Sequence, residues 1–593
     1  MKKYTLTMVI IMTLLFFKSS LAQEKKSFKF WNPATDSGNV IHGRGWADGY
    51  KSNYDRLPAD AEKKVRPAVW NLAENSAGLN LRFKTDAEEI VVKFTVKGSI
   101  QMPHMPATGV SGVDLYVKDR DGKWLWCAGK FAFGDTIQYR FSNISGKDAH
   151  VKDREYKLYL PLYNSVKWME IGLPEQASFT KIPVQQQEKP IVVYGTSIAQ
   201  GACATRPGLA WTSILGRKLD RSMVNLGFSG NGKLEPEVLD FITQIDAKLY
   251  VVDCLPNLIS TDMNIRLGKR IVNTIRQIQQ KRPGVPILLT EHDGFGEEMM
   301  QQTRKKETEA INSILRNTVD SLTKSGTKNL YLLSKTEIGQ DIESMVDGVH
   351  PNDIGMMNYA KAYEKKINSI FKEEKGQIST TIPVTQRRDA STYDWESRHN
   401  QVLDYVATHQ PKLVFIGNSI THYWGGQPAA PRVNGNDSWT KYFGDKNPVN
   451  MGFGWDRIEN VLWRVHHGEL DGFSAQQIVL MIGTNNLEIN TDEEIVTGLK
   501  LLVTTVKARQ PNSKILLVGI LPRKGMESRI AKLNKEIVKI GIGKDFKYVD
   551  ATRIFLKGQE RIDESLFSDG LHPNALGYDK LGRFLVSSFQ MGN

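Results

Sequence analysis

Two kinds of hydrophobic spacing divide the chain. From about residue 27 to 180, apolar and polar positions alternate: Leu81 and Phe83, then Ile90, Val92, Phe94 and Val96 across 79–96. A period of two buries one face of a strand and wets the other. Val113-Asp114-Leu115-Tyr116-Val117 reads as another strand. Polar Lys118-Asp119-Arg120 follows, then the turn pair Asp121-Gly122, then Lys123-Trp124-Leu125-Trp126, which is the order of a hairpin. Residues 155–162 and 166–173 continue the pattern. Many short strands without a helical period predict an antiparallel sandwich over 27–180, jelly-roll-like in outline.

From about Pro190 the spacing changes. Short, mainly apolar runs at 191–194, 248–252 and 286–289 suit strands buried on both faces of a parallel sheet. Amphipathic stretches at 264–280 and 303–324 predict helices between them. The plan recurs with runs at 413–416, 477–482 and 514–518 and a helix over 493–509. Alternating strands and helices predict doubly wound three-layer α/β units, flavodoxin-like in topology. The first is expected over 186–372 and the second over 389–593. Polar 373–388 between them reads as a linker, and 393–409 as a helix leading into the second unit.

The units share more than pattern. Gly195-Thr196-Ser197-Ile198 matches Gly417-Asn418-Ser419-Ile420, and Asp347-Gly348-Val349-His350-Pro351-Asn352 matches Asp569-Gly570-Leu571-His572-Pro573-Asn574. Both pairs lie at one separation, which points to a tandem duplication. With 593 residues, the chain has room for three domains.

The head of the chain differs again. Lys2 and Lys3 precede the apolar run 6–17, and Ser20-Leu21-Ala22 follows, in the order of a cleaved secretory signal over 1–22. No later stretch is apolar for the ~20 residues a spanning helix needs, so no stable membrane insertion is expected after cleavage. The expected location is periplasmic, in a bacterium, with full export as the alternative. Loss of Lys2, Lys3 and Lys18 lowers the formal charge from +13 to +10. The basic residues are scattered, without zinc-finger or RNA-binding motifs, so nucleic acid is not an expected partner.

The chemistry lies at the ends of the buried strands, where ligands of open α/β sheets bind. Ser419 follows such a strand and needs a base, because a free hydroxyl is a poor nucleophile. His572 can serve, with Asp569 three residues earlier fixing its tautomer. Asn485, in Gly483-Thr484-Asn485 after another strand, and a backbone N–H from the turn Asn450-Met451-Gly452-Phe453-Gly454-Trp455-Asp456 can donate to an oxyanion. The first unit carries Ser197, Asp347 and His350, the turn Asn225–Asn231 containing Gly230, and Asn257 in Asp253-Cys254-Leu255-Pro256-Asn257.

These four ordered blocks resemble those of the SGNH (GDSL-type) hydrolases. The second unit is similar to the catalytic subunits of platelet-activating-factor acetylhydrolase, also through Asn460-Val461-Leu462-Trp463-Arg464, Gly483-Thr484-Asn485-Asn486, Arg509-Gln510-Pro511 and Leu521-Pro522-Arg523. The first unit, with Arg56-Leu57-Pro58 and Gly112-Val113-Asp114-Leu115-Tyr116 upstream, resembles a bacterial subgroup with a fused N-terminal β-sandwich. The resemblance implies two serine esterase sites: nucleophiles Ser197 and Ser419, bases His350 and His572, orienting carboxylates Asp347 and Asp569. Gly230, Asn257, Trp455 and Asn485 are the implied oxyanion donors, and no cofactor or metal is implied. It departs at Trp455 and at Leu255, both places where relatives often have glycine. The implied substrate is an acetylated carbohydrate; a lipid acetyl ester, or glycan binding by vestigial esterase folds, are the alternatives.

Other features carry less. Trp31, Trp46, Trp124 and Trp126 can stack on sugars but more often fill cores. Glu291-His292-Asp293 alternates across a strand and cannot meet one ion. His466-His467 reads as packing. Cys203 and Cys254 are expected as buried thiols, although export would permit a disulfide.

Overall fold

A computed structural model describes residues 27–144, 153–184, 188–259, 263–541, 546–558 and 560–590. The signal-sequence reading of 1–22 lies outside the described residues. Among the described residues no helix is long and apolar enough to cross a membrane.

The N-terminal segment is a sandwich of two antiparallel sheets. One runs Phe28–Trp31, Val166–Pro174, Glu89–Val96, Ile137–Ser142, Lys130–Ala132; the other Thr180–Lys181, Asn80–Thr85, Arg154–Tyr159, Asp114–Lys118, Trp124–Cys127. The inward residues of the alternating strands, among them Leu81, Phe83, Ile90, Val92, Phe94, Leu115, Val117 and Leu158, make one core. The alternating stretch 79–96 forms two strands, Asn80–Thr85 and Glu89–Val96. It breaks at Asp86-Ala87-Glu88, and its halves join opposite sheets. The hairpin forms as its turn chemistry dictates: Lys118 pairs with Trp124, and the Asp119 carboxylate accepts the N–H groups of Asp121 and Lys123 at 2.9 and 2.8 Å.

The first α/β unit has strands β1 (Ile191–Gly195), β2 (Met223–Gly227), β3 (Leu249–Asp253), β4 (Ile287–Thr290) and β5 (Leu330–Leu333), all parallel and ordered β2-β1-β3-β4-β5. The second repeats this with β6 (Leu413–Gly417), β7 (Pro448–Gly452), β8 (Gln477–Met481), β9 (Lys514–Val518) and β10 (Phe546–Val549), ordered β7-β6-β8-β9-β10. Each sheet has a separate core on each face. This explains the apolar runs, since all five residues of β1 and of β6 are buried. The doubly wound reading therefore holds in both units.

The polar segment before the second unit is not a solvated tether. Residues 385–388 are buried, because their charges find partners. The Arg387 guanidinium donates to the fully buried Glu155 carboxylate at 2.6 Å, and its N–H to the Arg120 carbonyl at 2.8 Å. Arg388 donates to Asp121 at the hairpin tip at 2.7 Å. The sandwich hairpin thus packs on the segment that leads into the second unit.

Between the sandwich and the first unit, Asp114 is the joint. Its carboxylate accepts from the Trp126 indole at 2.7 Å, the Arg206 guanidinium at 2.5 Å and the Gly208 N–H at 3.0 Å. Of the four tryptophans above, Trp31 packs on Phe179, Trp46 on Phe241, and Trp124 lies under Lys118 and Lys157. Trp126 remains 51% exposed. Cys127, Cys203 and Cys254 are all buried free thiols.

Candidate active site

Each nucleophile candidate opens a one-turn helix after a central strand: α1 (Ser197–Gln200) after β1 and α2 (Ser419–His422) after β6. The residue before each serine caps the helix. Thr196 accepts the Ile198 N–H at 3.4 Å, and Asn418 the Ile420 N–H at 2.9 Å. This puts Ser197 and Ser419 at the first helical position, where a backbone N–H has no intrahelical acceptor.

The two serines meet their histidines identically. Ser197 Oγ lies 2.8 Å from His350 Nε2, and Ser419 Oγ 2.8 Å from His572 Nε2. On the far side, His350 Nδ1 lies 2.8 Å from Asp347 Oδ2 and His572 Nδ1 2.7 Å from Asp569 Oδ2. The second oxygen of each carboxylate accepts backbone N–H groups: Asp347 from Val349 and His350, Asp569 from Leu571 and His572. Burial pulls both carboxyls up. The imidazole and backbone donors outweigh it and hold both below the usual carboxylate range. A group so held is ionised at neutral pH and can stabilise an imidazolium.

The turn after β2 and β7 approaches α1 and α2 closely. A Cβ on Gly227 would stand 2.3 Å from the Gln200 nitrogen, and one on Gly452 2.2 Å from the His422 nitrogen. Glycine is therefore required at both places. Buried Asn225 and Asn450 tie strand to helix, donating to the Ala199 and Thr421 carbonyls at 2.7 and 2.8 Å. Gln200 accepts the Ser229 N–H at 3.0 Å, and His422, 222 positions on, accepts the Gly454 N–H at 3.1 Å. The next residues, Gly230 and Trp455, both adopt left-handed backbone, φ 68° and 62°. A tryptophan in that region is strained by roughly 1–2 kcal/mol relative to its right-handed form.

Asn257 and Asn485 flank the same turns. Asn257 Oδ1 accepts the Gly232 N–H at 3.1 Å, and Asn485 donates one amide N–H to the Asp456 carbonyl at 2.9 Å. The Leu255 departure has a local cause. Gly483 sits at φ 119°, whereas Leu255 begins a 3-10 turn capped by Cys254 at φ −111°. The first unit thus reaches its asparagine without a left-handed residue.

Two arginines whose role no motif revealed brace these turns. Arg56, from the sandwich segment, is fully buried and donates to the Asn225, Gly227, Leu72 and Asn75 carbonyls at 2.7–3.0 Å. Arg398, from the helix Trp395–His409, donates to the Gly452 and Asn450 carbonyls at 2.7 and 3.1 Å. Each guanidinium also lies over the phenylalanine of its turn, Phe228 or Phe453, at 5.1 and 5.2 Å. Burial lowers Arg56 to about 9 and Arg398 to about 10, leaving both charged at neutral pH. The same brace thus arises from unrelated parts of the chain, and the first unit borrows its own from the sandwich.

The mouths differ. Beside His572 stands Tyr423, ring centres 5.3 Å apart, with Arg432 over the Tyr423 ring at 5.5 Å. Asp389 reaches the same place, 3.0 Å from where a Gly454 Cβ would be. Beside His350 stands His104 of the sandwich, ring centres 5.8 Å apart. Ile354 and its counterpart Leu576, each four residues after the histidine of its Asp-x-x-His block, are exposed. Away from the mouths, Glu291 pairs with Arg316, while His292 accepts the Gly294 N–H and packs on Phe295. Asp293 lies 3.3 Å from His292 Nδ1, while Glu291 turns to Arg316, so the three do not converge on one point. His467 stacks on Trp463 at 3.7 Å.

Comparison with known proteins bears on this geometry. Models of the GDSL-like Lipase/Acylhydrolase family match residues 188–368 and 415–580. A model described as the N-terminus of Esterase_SGNH_hydro-type matches 28–179. Platelet-activating factor acetylhydrolase IB subunit alpha2 of Bos taurus, and that of Homo sapiens, are each 30% identical over 193 residues, 32% of this chain and 80% of the relative. A crystal structure of a GDSL-like lipase from Bacteroides ovatus is 32% identical, with TM-score 0.53, covering 58% of this chain and 98% of that one.

Proposed function

We infer, for a chain that belongs to the GDSL-like lipase/acylhydrolase (SGNH hydrolase) family and is a serine ester hydrolase, that both α/β units are working sites and that their substrate is an acetylated carbohydrate. The observation that carries the first part is the hydroxyl–imidazole contact of 2.8 Å, present in both units with a carboxylate behind it.

In each unit the serine attacks the ester carbonyl while the histidine takes its proton. The negative oxygen of the tetrahedral adduct is met by the serine N–H, by the N–H of Gly230 or Trp455, and by the amide of Asn257 or Asn485. The histidine then protonates the leaving alcohol, and the acyl-serine is hydrolysed by water that the same histidine deprotonates.

A small acyl group is supported by Trp455, whose side chain stands on the donor turn itself. A sugar is supported by the polar mouth of the second site, where Asp389, Tyr423 and Arg432 can bind hydroxyls. It is also supported by exposed Trp126, whose ring lies 4.3 Å from Arg206 in the loop after α1. The N-terminal segment 1–22 supports export, with the mature chain periplasmic. A lipid acetyl ester is the second reading, favoured by the likeness to the acetylhydrolase subunits.

Acetate release from an acetylated polysaccharide, an acetylated phospholipid and an aryl acetate separates these readings. Glycan deacetylation is expected to exceed lipid turnover. Lipid turnover without glycan deacetylation reverses the ranking, and glycan binding without any ester turnover removes it.

Trp455 allows a sharper test in a Ser197→Ala background, where only the second serine remains. Trp455→Gly keeps the N–H and suits φ 62°. Aryl acetate turnover should stay within about threefold, and the ratio of butyrate to acetate hydrolysis should rise about tenfold as the pocket widens. An unchanged ratio would show that the indole does not bound the acyl pocket.

A further inference from the structure

We propose that the first unit carries an inhibitory site for a thiophilic divalent cation, with Zn2+ as prototype, built from His104, Cys203 and His350. One ligand atom from each of these residues lies within 4.8 Å of the other two. A nitrogen–nitrogen–sulfur set of this kind suits zinc, with water or Ser197 Oγ in the fourth position.

Three elements that are otherwise fixed deliver the ligands. His104 sits in a tight turn closed by reciprocal backbone hydrogen bonds between Met102 and Met105, both 3.1 Å. That part of the sandwich presses on the loop after α1: Thr108 donates to the Thr205 carbonyl at 2.6 Å, and a Cβ on Gly109 would strike the Ala204 carbonyl at 2.2 Å. Cys203 is 2% exposed, and its N–H donates to the Pro351 carbonyl at 3.1 Å, next to His350. The His104 and His350 rings are stacked, 28° between planes. The Asp347 carboxylate behind His350 Nδ1 gives the carboxylate–histidine backing common at metal ligands, so the ion would take Nε2 in place of its contact with Ser197 Oγ.

A thiol without a metal is protonated near neutral pH, and the ion must displace that proton. The cation and the thiol give a metal–sulfur bond and release one H+, while each imidazole contributes a lone pair. The His350 lone pair that would take the Ser197 proton is then occupied. The first unit is silenced, and the sandwich is stapled to it. In the second unit glycine stands at the position 222 after Cys203, Gly425, so the second unit serves as an internal control.

The full-length mature chain is titrated with ZnCl2 by calorimetry, and with CoCl2 while absorbance is followed. One ion per chain is expected, with a near-ultraviolet sulfur-to-cobalt band and proton release in a weak buffer. Cys203→Ser should abolish the band, and both Cys203→Ser and His104→Asn should weaken binding at least tenfold. Aryl acetate turnover of the Ser419→Ala chain should fall over the same Zn2+ range as binding, while that of the Ser197→Ala chain does not. The two ligand variants should lose the sensitivity to Zn2+. Unaltered binding in both ligand variants, or equal inhibition of the two serine variants, overturns the proposal. Because the titrations read binding alone, they decide it even if the first unit proves to have no turnover.

Discussion

The chain carrying both Ser197→Ala and Ser419→Ala is expected to lose ester turnover by on the order of 10⁴–10⁶-fold, while each single variant retains the share of the other unit. The expectation rests on chemistry that cannot be bypassed locally. With the hydroxyl gone, the histidine has no nucleophile to deprotonate, and what survives is binding plus oxyanion stabilisation of attack by water. The two sites share no residue of their Ser–His–Asp sets. Their contributions to aryl acetate hydrolysis should therefore add, and the single variants should sum to the parent rate. A double variant within tenfold of the parent would place the chemistry elsewhere. A single variant as inactive as the double would make one unit structural. Folding is checked by circular dichroism, which serine-to-alanine changes at 5–6% exposed positions should leave unaltered.

What the sequence made legible follows the physics of each feature. The repeated serine and Asp-x-x-His blocks were readable because their roles demand residue identity. The parallel sheets were readable because strands buried on both faces must be apolar throughout, as 191–195 and 413–417 are. The family resemblance and the doubly wound architecture are likewise shown. Across 79–96 alternation reports which face is wet, not which sheet a strand joins. The break at residues 86–88 carries no glycine or proline to announce it.

The segment 373–388 shows the converse limit. Charged residues look alike in a sequence whether water or a buried partner solvates them. Arg387 and Arg388 are buried because Glu155 and Asp121, more than 200 positions earlier, complete them. The braces Arg56 and Arg398 were illegible as a pair for a related reason. Both units have the same carbonyls held, but the arginine lies 169 positions before the Asn225 carbonyl in one and 52 before that of Asn450 in the other. Arg56 belongs to a motif that carried the resemblance, yet its role is visible only once its four carbonyl partners are placed. Trp455 offers its donor from the backbone, as any non-proline residue could, but at a left-handed φ that glycine adopts without strain.

Arg464→Ala is expected to destabilise the second unit by about 3–5 kcal/mol, among the largest losses a single substitution gives. The Arg464 side chain is 0% exposed and joins two buried carboxylates, Asp456 at 2.9 Å and Glu469 in a short contact. Asp456 also accepts the Trp395 indole at 2.8 Å, and Glu469 pairs with His399 at 2.8 Å. Removing the cation strands both acids among apolar neighbours, with the Phe453 ring, 4.0 Å from the guanidinium, left over a cavity. For a unit of about 200 residues, such a loss lowers Tm by roughly 10 °C. Calorimetry should show the second unit's transition moving while the first unit's does not. Asp456 adjoins Trp455 on the donor turn, so the same variant should slow the second serine at temperatures where the fold persists, measured with Ser197→Ala present. Combining Arg464→Met with Asp456→Asn and Glu469→Gln removes the stranded charges together and should recover more than half of the lost Tm. A shift below about 2 °C for Arg464→Ala would mean that water reaches these carboxylates, and the network would then not be what holds the donor turn.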